Sequence, residues 1–306
     1  MNRKVTTSSS VLFDVPGPKA VARTRLFNIL SVLAILALLG YIGYVMHRQG
    51  QLEADKWTSL FSGNLWANYI LPGLWNTLKA ALISVVTSVA FGVFFGMARL
   101  SPLAPVRWFG TIVVEFFRAV PVLIMMIFFW LFLGKFSVLS PQQLPFIAVV
   151  LGLTLYNGSV IAELLRSGVH QLPKGQGEAG LAIGLTPWKV LTSILMPQAM
   201  TAMMPSLLSQ FVVILKDTAL GYIISYPEVL ASARRFGSGE GNILQMLLLA
   251  ALLFIVINFA LTLLAERLSK FMSSRSNVEI KHADGVPGEV DDPRPKTEMM
   301  FKIPKA

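Results

Sequence analysis

The chain has 306 residues, of which 54% are hydrophobic and 14% charged. A soluble domain carries about 25% charged residues, so this composition excludes an ordinary soluble enzyme, a disordered chain and a collagen-like fibre. The formal net charge is +10, and cysteine is absent, which excludes disulfides and thiolate chemistry.

Taken in chain order, the apolar runs read as membrane spans. A spanning helix needs roughly 20 mostly apolar residues. Runs of this kind occupy 26–46, 70–98, 111–133, 144–162, 199–224 and 243–265. The first is too long for a signal-peptide core and lacks a small-residue cleavage site, so it reads as a retained span. Trp57, Trp66, Tyr69 and Trp75 precede or enter the second run and read as interfacial anchors. Gly92 and Gly96 within it suit close helix packing. Pro121 is a kink site in the third run. Pro and polar residues weaken the fifth. No internal repeat is evident, so a single chain built from two inverted halves is unsupported.

Charge orients these spans. With the N-terminus inside, segments 1–25, 99–110, 163–198 and 266–306 hold 18 of the 26 Lys+Arg, and the three exterior segments hold 5. The positive-inside rule then places both termini in the cytoplasm. The surplus of positive charge orients spans and is no sign of nucleic-acid binding. The expected division is a tail at 1–25, a separate span at 26–46, an extracytoplasmic loop at 47–69, a transmembrane core at 70–270 and a flexible tail at 271–306. The tail reads as mobile from its prolines and its acidic cluster Glu289, Asp291 and Asp292.

Segment 163–198 is long for a passive connection. Leu172-Pro173-Lys174-Gly175 is a breaker, and 176–185 is rich in Ala and Gly. Thr186-Pro187 reads as a helix cap followed by proline at the first helical position. A second short helix is expected at 188–195, ended or kinked by Pro197. Two short helices at the cytoplasmic surface follow, and the glycines either mark turns or allow a partner surface to approach.

Few charges lie within the spans, where ionisable groups are costly and face a bundle interior, a cavity or a partner. Glu115 and Arg118 are three apart and share a helix face, as do Glu163 and Arg166. Each pair reads either as a structural ion pair or as part of a transport path. Asn157, Gln210, Lys216 and Asp217 complete the set of polar path candidates. Lys79 lies near a span end and snorkels, so no function falls to it.

The 163–198 segment resembles the EAA signature of the membrane subunits of bacterial ABC importers. Glu178-Ala179-Gly180 stands for Glu-Ala-Ala, Gly184 follows after three residues, Ile194 after nine more, and Met196-Pro197 stands for Leu-Pro. Gly180 and Met196 depart from the signature. Asn76-Thr77-Leu78, Phe117-Arg118-Ala119-Val120-Pro121, Leu172-Pro173-Lys174-Gly175-Gln176 and Lys216-Asp217-Thr218-Ala219-Leu220 resemble elements of the polar amino-acid branch, the glutamate permeases above all. The likeness covers about 74–270.

The resemblance implies an all-α, polytopic transmembrane fold of the type I ABC importer kind, with five core spans plus one extra N-terminal span. It implies a bacterial plasma-membrane location and a pore completed by a second permease subunit, the same or homologous. Gln176, Gly177, Glu178, Ala179, Gly180, Gly184, Leu185, Ile194 and Pro197 would dock a cytosolic ATPase dimer. An extracytoplasmic solute-binding protein would deliver the amino acid. No Walker A motif occurs in the chain. ATP and Mg would therefore bind the partner ATPase, and this chain would carry no catalytic site, metal or cofactor of its own. An ion-coupled secondary transporter using Glu115, Glu163 and Asp217, or a membrane assembly protein, stands as the alternative. The preference for glutamate rests on Arg118 and Lys216 as cations within spans.

Overall fold

A computed structural model describes residues 17–276 apart from residue 138, with side chains up to residue 267. Most of the N-terminal tail and all but the first residues of the C-terminal tail expected from the sequence lie outside the described residues. The described chain is helical throughout. α1 (Pro18–Arg48) is followed by α2 (Ala54–Thr58) and a short 3-10 turn. α3 (Gly63–Leu65), a π turn at Trp66–Ile70 and α4 (Leu71–Arg99) run on as one helix, Gly63–Arg99. Next come α5 (Ala104–Ala119), α6 (Val122–Lys135), α7 (Leu144–Gln171) and α8 (Lys174–Ala182). α9 (Pro187–Val190), a π turn at Leu191–Leu195, α10 (Met196–Asp217) and a 3-10 stretch form a second continuous helix, Pro187–Ile224. α11 (Val229–Glu240) and α12 (Ile243–Ser276) close the chain.

Five of these helices are long and apolar enough to cross a membrane, or six if α5 and α6 count as one broken span. That pair corrects the expectation of a single span at 111–133. α5 and α6 meet at 98°. The break falls at Val120-Pro121, both extended (ψ 125° and 134°). Proline disfavours a helical conformation in the residue before it, so the helix stops there instead of merely bending.

The connection 163–198 is also shorter than expected. α7 continues nine residues past 162, because Leu165, Gly168 and Val169 are buried against the rest of the bundle. On the far side, Pro197 neither ends nor kinks a short helix. A proline leaves the carbonyl four residues earlier without its donor and crowds it. The π turn at 191–195 absorbs this: Met196 N–H reaches back five residues to Leu191 O. The same arrangement precedes Pro72, where Leu71 N–H reaches Trp66 O. In each case the π turn ends two residues before the proline, and the helix runs through.

The axis of the bundle is the contact of α4 with α7. Gly92 faces Ile161 and Gly158, and Gly96 faces Ala162 and Leu165. A Cβ at Gly92 would stand 2.9 Å from the Gly158 carbonyl oxygen. Lipid tails are as apolar as side chains, so such association depends on close backbone approach and dispersion. The interface holds buried Ser88, whose Oγ donates to Leu153 O at 3.3 Å.

One end of the bundle carries α8; the other carries α11, in the stretch between the apolar runs 199–224 and 243–265. α11 buries Val229, Ala233 and Phe236 against Leu65, Ile70, Met246 and Ala250. Asn242 and Gln245 tie this end to the 51–59 connection, donating to Lys56 O at 3.1 Å and Gln51 O at 2.7 Å. Trp57 and Trp66 also donate inward, to Gln51 O and Leu60 O. They are structural donors as much as interfacial anchors. α1 has no buried residue in any of its 31 positions.

Candidate functional site

α8 begins after an extended Leu172-Pro173. It ends in a Schellman motif, in which Leu185 N–H donates to Gly180 O and Gly184 N–H to Leu181 O. The motif needs a left-handed residue, and Gly184 supplies it at φ +86°. Thr186 then caps the next helix, its Oγ1 accepting from Lys189 N–H at 3.3 Å, with Pro187 at the first position as expected.

Gly180 is buried, and a Cβ there would stand 2.9 Å from both Ile194 Cδ1 and Val190 Cγ2. The departure of this position from alanine therefore lets α8 lie flush on the 187–195 segment. Gln198 Nε2 bridges to Gln176 Oε1 across the same contact at 3.4 Å. On the outer side Glu178, Ala179, Leu181 and Ile183 are exposed. Ile183 is 77% exposed. The nine sequence-chosen residues thus fall together: Gly180 and Ile194 on the inner contact, Gln176 and Pro197 beside it, Glu178 and Ala179 outward, Gly184 and Leu185 in the turn, and Gly177 half-buried between.

At the same end of the bundle Glu115, Arg118 and Glu163 are drawn into one ion network. Its centre is Arg99, which the sequence offered only as a topology marker. Arg99 Nη2 meets Glu115 at 2.8 Å, and its Nη1 meets Glu163 at 2.8 Å. Arg118 contacts Glu115 at 3.2 Å and Glu163 at 3.6 Å, and Arg166 meets Glu163 at 2.7 Å. Both sequence-expected pairs form, and Arg99 joins them across α4, α5 and α7. The Arg99 side chain is 6% exposed. A single charge placed at the end of an apolar run gives no sign that it is a hub.

The other candidates lie apart from this network. Halfway along α7, Asn157 is buried, and Gln210 Nε2 donates to its Oδ1 at 2.6 Å, linking α7 to α10. Lys216 is exposed at the far end of α10, beside half-buried Asp217. Lys216 lines a cavity of about 460 Å³ between α10 and α12 with Ser209, Thr262 and Glu266.

At the α11 end, Glu228 is fully buried and caps α11, accepting from Leu230 N–H at 2.7 Å and Ala231 N–H at 2.6 Å. Burial pushes its carboxyl up to about 7, against the downward pull of the two backbone N–H groups. Tyr226, raised by burial and by Glu228, donates its hydroxyl to Asn76 O at 2.7 Å. Thr77 Oγ1 accepts from Val229 N–H. The Asn76-Thr77 element of the sequence thus holds the α11 end in place. Glu228 had no sequence signal, since glutamate is not a preferred cap residue.

An all-helical bundle of long apolar helices with a short capped helix laid across one end is the architecture of a polytopic membrane protein. The chain belongs to the family of binding-protein-dependent transport system inner membrane components, whose pattern matches residues 88–274. It is 48% identical over 235 residues to the glutamate transport system permease protein GluD of Corynebacterium glutamicum, covering 76% of this chain and 86% of that protein. It is 33% identical over 207 residues to the glutamate/aspartate import permease protein GltK of Escherichia coli, covering 66% and 92%. The fold matches a solved amino acid ABC transporter crystallised with histidines at TM-score 0.60 and 24% identity, over 66% of this chain and 92% of that one. The chain is thus an ABC importer permease subunit of the type I fold, a multi-pass membrane protein.

Proposed function

We propose that the chain forms half of the translocation pore of an ATP-driven importer for a polar amino acid, glutamate before others. The observation that carries this reading is α8, a capped helix that is seated on the long 187–224 helix and exposes Leu181 and the C-cap residue Ile183 beside Glu178 on its outer side. A partner surface is needed to cover Leu181 and Ile183. A cytosolic ATPase dimer fits, and it places both termini and the α8 end in the cytoplasm of a bacterial plasma membrane. ATP and Mg bind that ATPase. A second permease subunit completes the pore, and a solute-binding protein presents the amino acid at the α11 end. The fold is then five core spans, with α5 and α6 together as one, plus α1 as an extra N-terminal span.

The chain does no covalent chemistry. It converts ATPase closure into a shift between inward- and outward-open populations. Asn157 and Gln210, at mid-depth, and Lys216 beyond them are the residues for the solute path. Glu115, Arg118 and Glu163 hold helices together at the α8 end. The glutamate preference is supported by the names of the two relatives and by Lys216 as an exposed cation.

The experiment is uptake of labelled amino acids into proteoliposomes carrying the chain with its ATPase and binding protein. ATP-dependent uptake of glutamate is expected. Accumulation that follows a proton or sodium gradient without ATP would overturn the reading. Gly184→Val should abolish ATPase association and uptake together; intact association would remove α8 from the coupling role.

A further inference from the structure

A cavity of about 490 Å³ opens at the α8 end, between the end of α4, the first turns of α5 and the last turns of α7. Arg99, Arg107, Arg166 and His170 line it, with Trp108, Thr111 and Ile112. Its charge is unbalanced. Arg99 and Arg166 share Glu115 and Glu163 with Arg118. Arg107 meets only the Ser101 carbonyl oxygen, at 3.0 Å. Four guanidinium groups against two carboxylates leave two positive charges uncompensated. Arg99 is more than nine-tenths buried, and its Nε finds no hydrogen-bond partner. A cavity with this surplus of positive charge suits an anion.

The outer wall says which anion. Trp108, Ile112 and Phe116 stand four apart on α5 and so form one stripe running away from the cavity along the helix. They are 71%, 56% and 59% exposed. A free solute gains nothing from such a stripe, whereas an acyl chain lies along it. Basic pockets between helix ends at a membrane surface are suited to anionic headgroups. We propose that this cavity is a binding site for an anionic phospholipid, its phosphodiester held by Arg99, Arg107 and Arg166 and its acyl chain laid over Trp108, Ile112 and Phe116. The site goes beyond the transport reading, and it rests only on the chain lying in a bilayer.

Trp108 reports occupancy. The transporter, assembled with its ATPase, is placed in phosphatidylcholine vesicles, and phosphatidylglycerol with brominated acyl chains is titrated in. A saturating component of the quench is expected that Trp108→Phe removes, the other five tryptophans giving a background common to both proteins. Arg107→Gln should weaken it about fivefold, the effect of one basic residue near an anionic surface. Arg107→Lys should retain most of the affinity, which separates loss of charge from loss of fold; an unchanged thermal midpoint checks the same point. Arg48→Gln, at the opposite end of the membrane, should bind as the unaltered protein does. An equal isotherm with brominated phosphatidylcholine would overturn headgroup recognition. Displacement by millimolar inorganic phosphate or glutamate would assign the cavity to a free anion and overturn the lipid. Failure of amino-acid uptake would leave all these outcomes readable.

Discussion

Removing the guanidinium of Arg99 leaves Glu115 and Glu163 facing one another with only Arg118 and Arg166 at their edges. A buried pair broken on one side costs about 3–5 kcal/mol. Glu115 is 52% exposed here, so solvent screening lowers the expectation for Arg99→Gln to roughly 1–3 kcal/mol. Arg118, itself 36% exposed, should cost under about 1 kcal/mol as Arg118→Gln. Thermal unfolding in detergent ranks the two, and equal losses would deny Arg99 its central place. Glu228 sets a pH dependence. Its folded value, about 7, stands above the ordinary 4.5, so the folded state holds the proton more tightly than the unfolded chain does. Its contribution is full below pH 4.5 and is lost as pH rises through 7. Glu228→Gln should flatten the stability profile across that window, and an unaltered slope would exclude Glu228 as its source. The sequence offered Glu115–Arg118 and Glu163–Arg166 as pairs, one of two readings, because three-residue spacing on a helix is local. It could not show Arg99 joining them, because that contact crosses three helices.

At the scale of elements, the two long helices pass through prolines by widening one turn. Pro197→Ala restores the missing donor and lets the 191–195 turn tighten to an ordinary helix. Removing a π bulge rotates the preceding segment by about 100°, which carries Val190 and Ile194 away from Gly180. ATPase activity of the assembled complex should persist while its stimulation by loaded binding protein falls; full stimulation would show that the widened turn is dispensable. The α4–α7 contact gives a second expectation. Gly92→Val forces a side chain onto the Gly158 carbonyl oxygen and should cost about 1–3 kcal/mol. Gly43→Ala, with nothing within 4 Å of the added carbon, should be neutral or slightly stabilising. Spans were legible from apolar runs because lipid demands them. Helix ends were not: α7 passes residue 162 on tertiary burial of Leu165 and Val169, and α11 is too short and polar to stand out. The break at Pro121 was visible as a kink site, but its 98° was not, since neighbouring helices set the angle.

For the whole molecule, α1 is an addition that the rest does not lean on. Its residues are unburied, and its anchorage is at the far end, through Gln51 and Lys56. A chain lacking residues 1–46 should keep its thermal midpoint within about 2 °C, since distant, non-contacting parts contribute independently. A drop of 10 °C would show that α1 covers the bundle in the membrane. The helix from Pro187 to Ile224 has another consequence. It carries α8 near one end, crosses α7 where Gly168 meets Met203, and reaches the Lys216 cavity near the other. At 1.5 Å per residue the arms on either side of Met203 are about 24 and 32 Å. Such a beam has arms in a ratio of about 1.3. If α8 takes up the ATPase's movement as proposed, a few ångströms of travel at that end should arrive across the bilayer enlarged by only about a third.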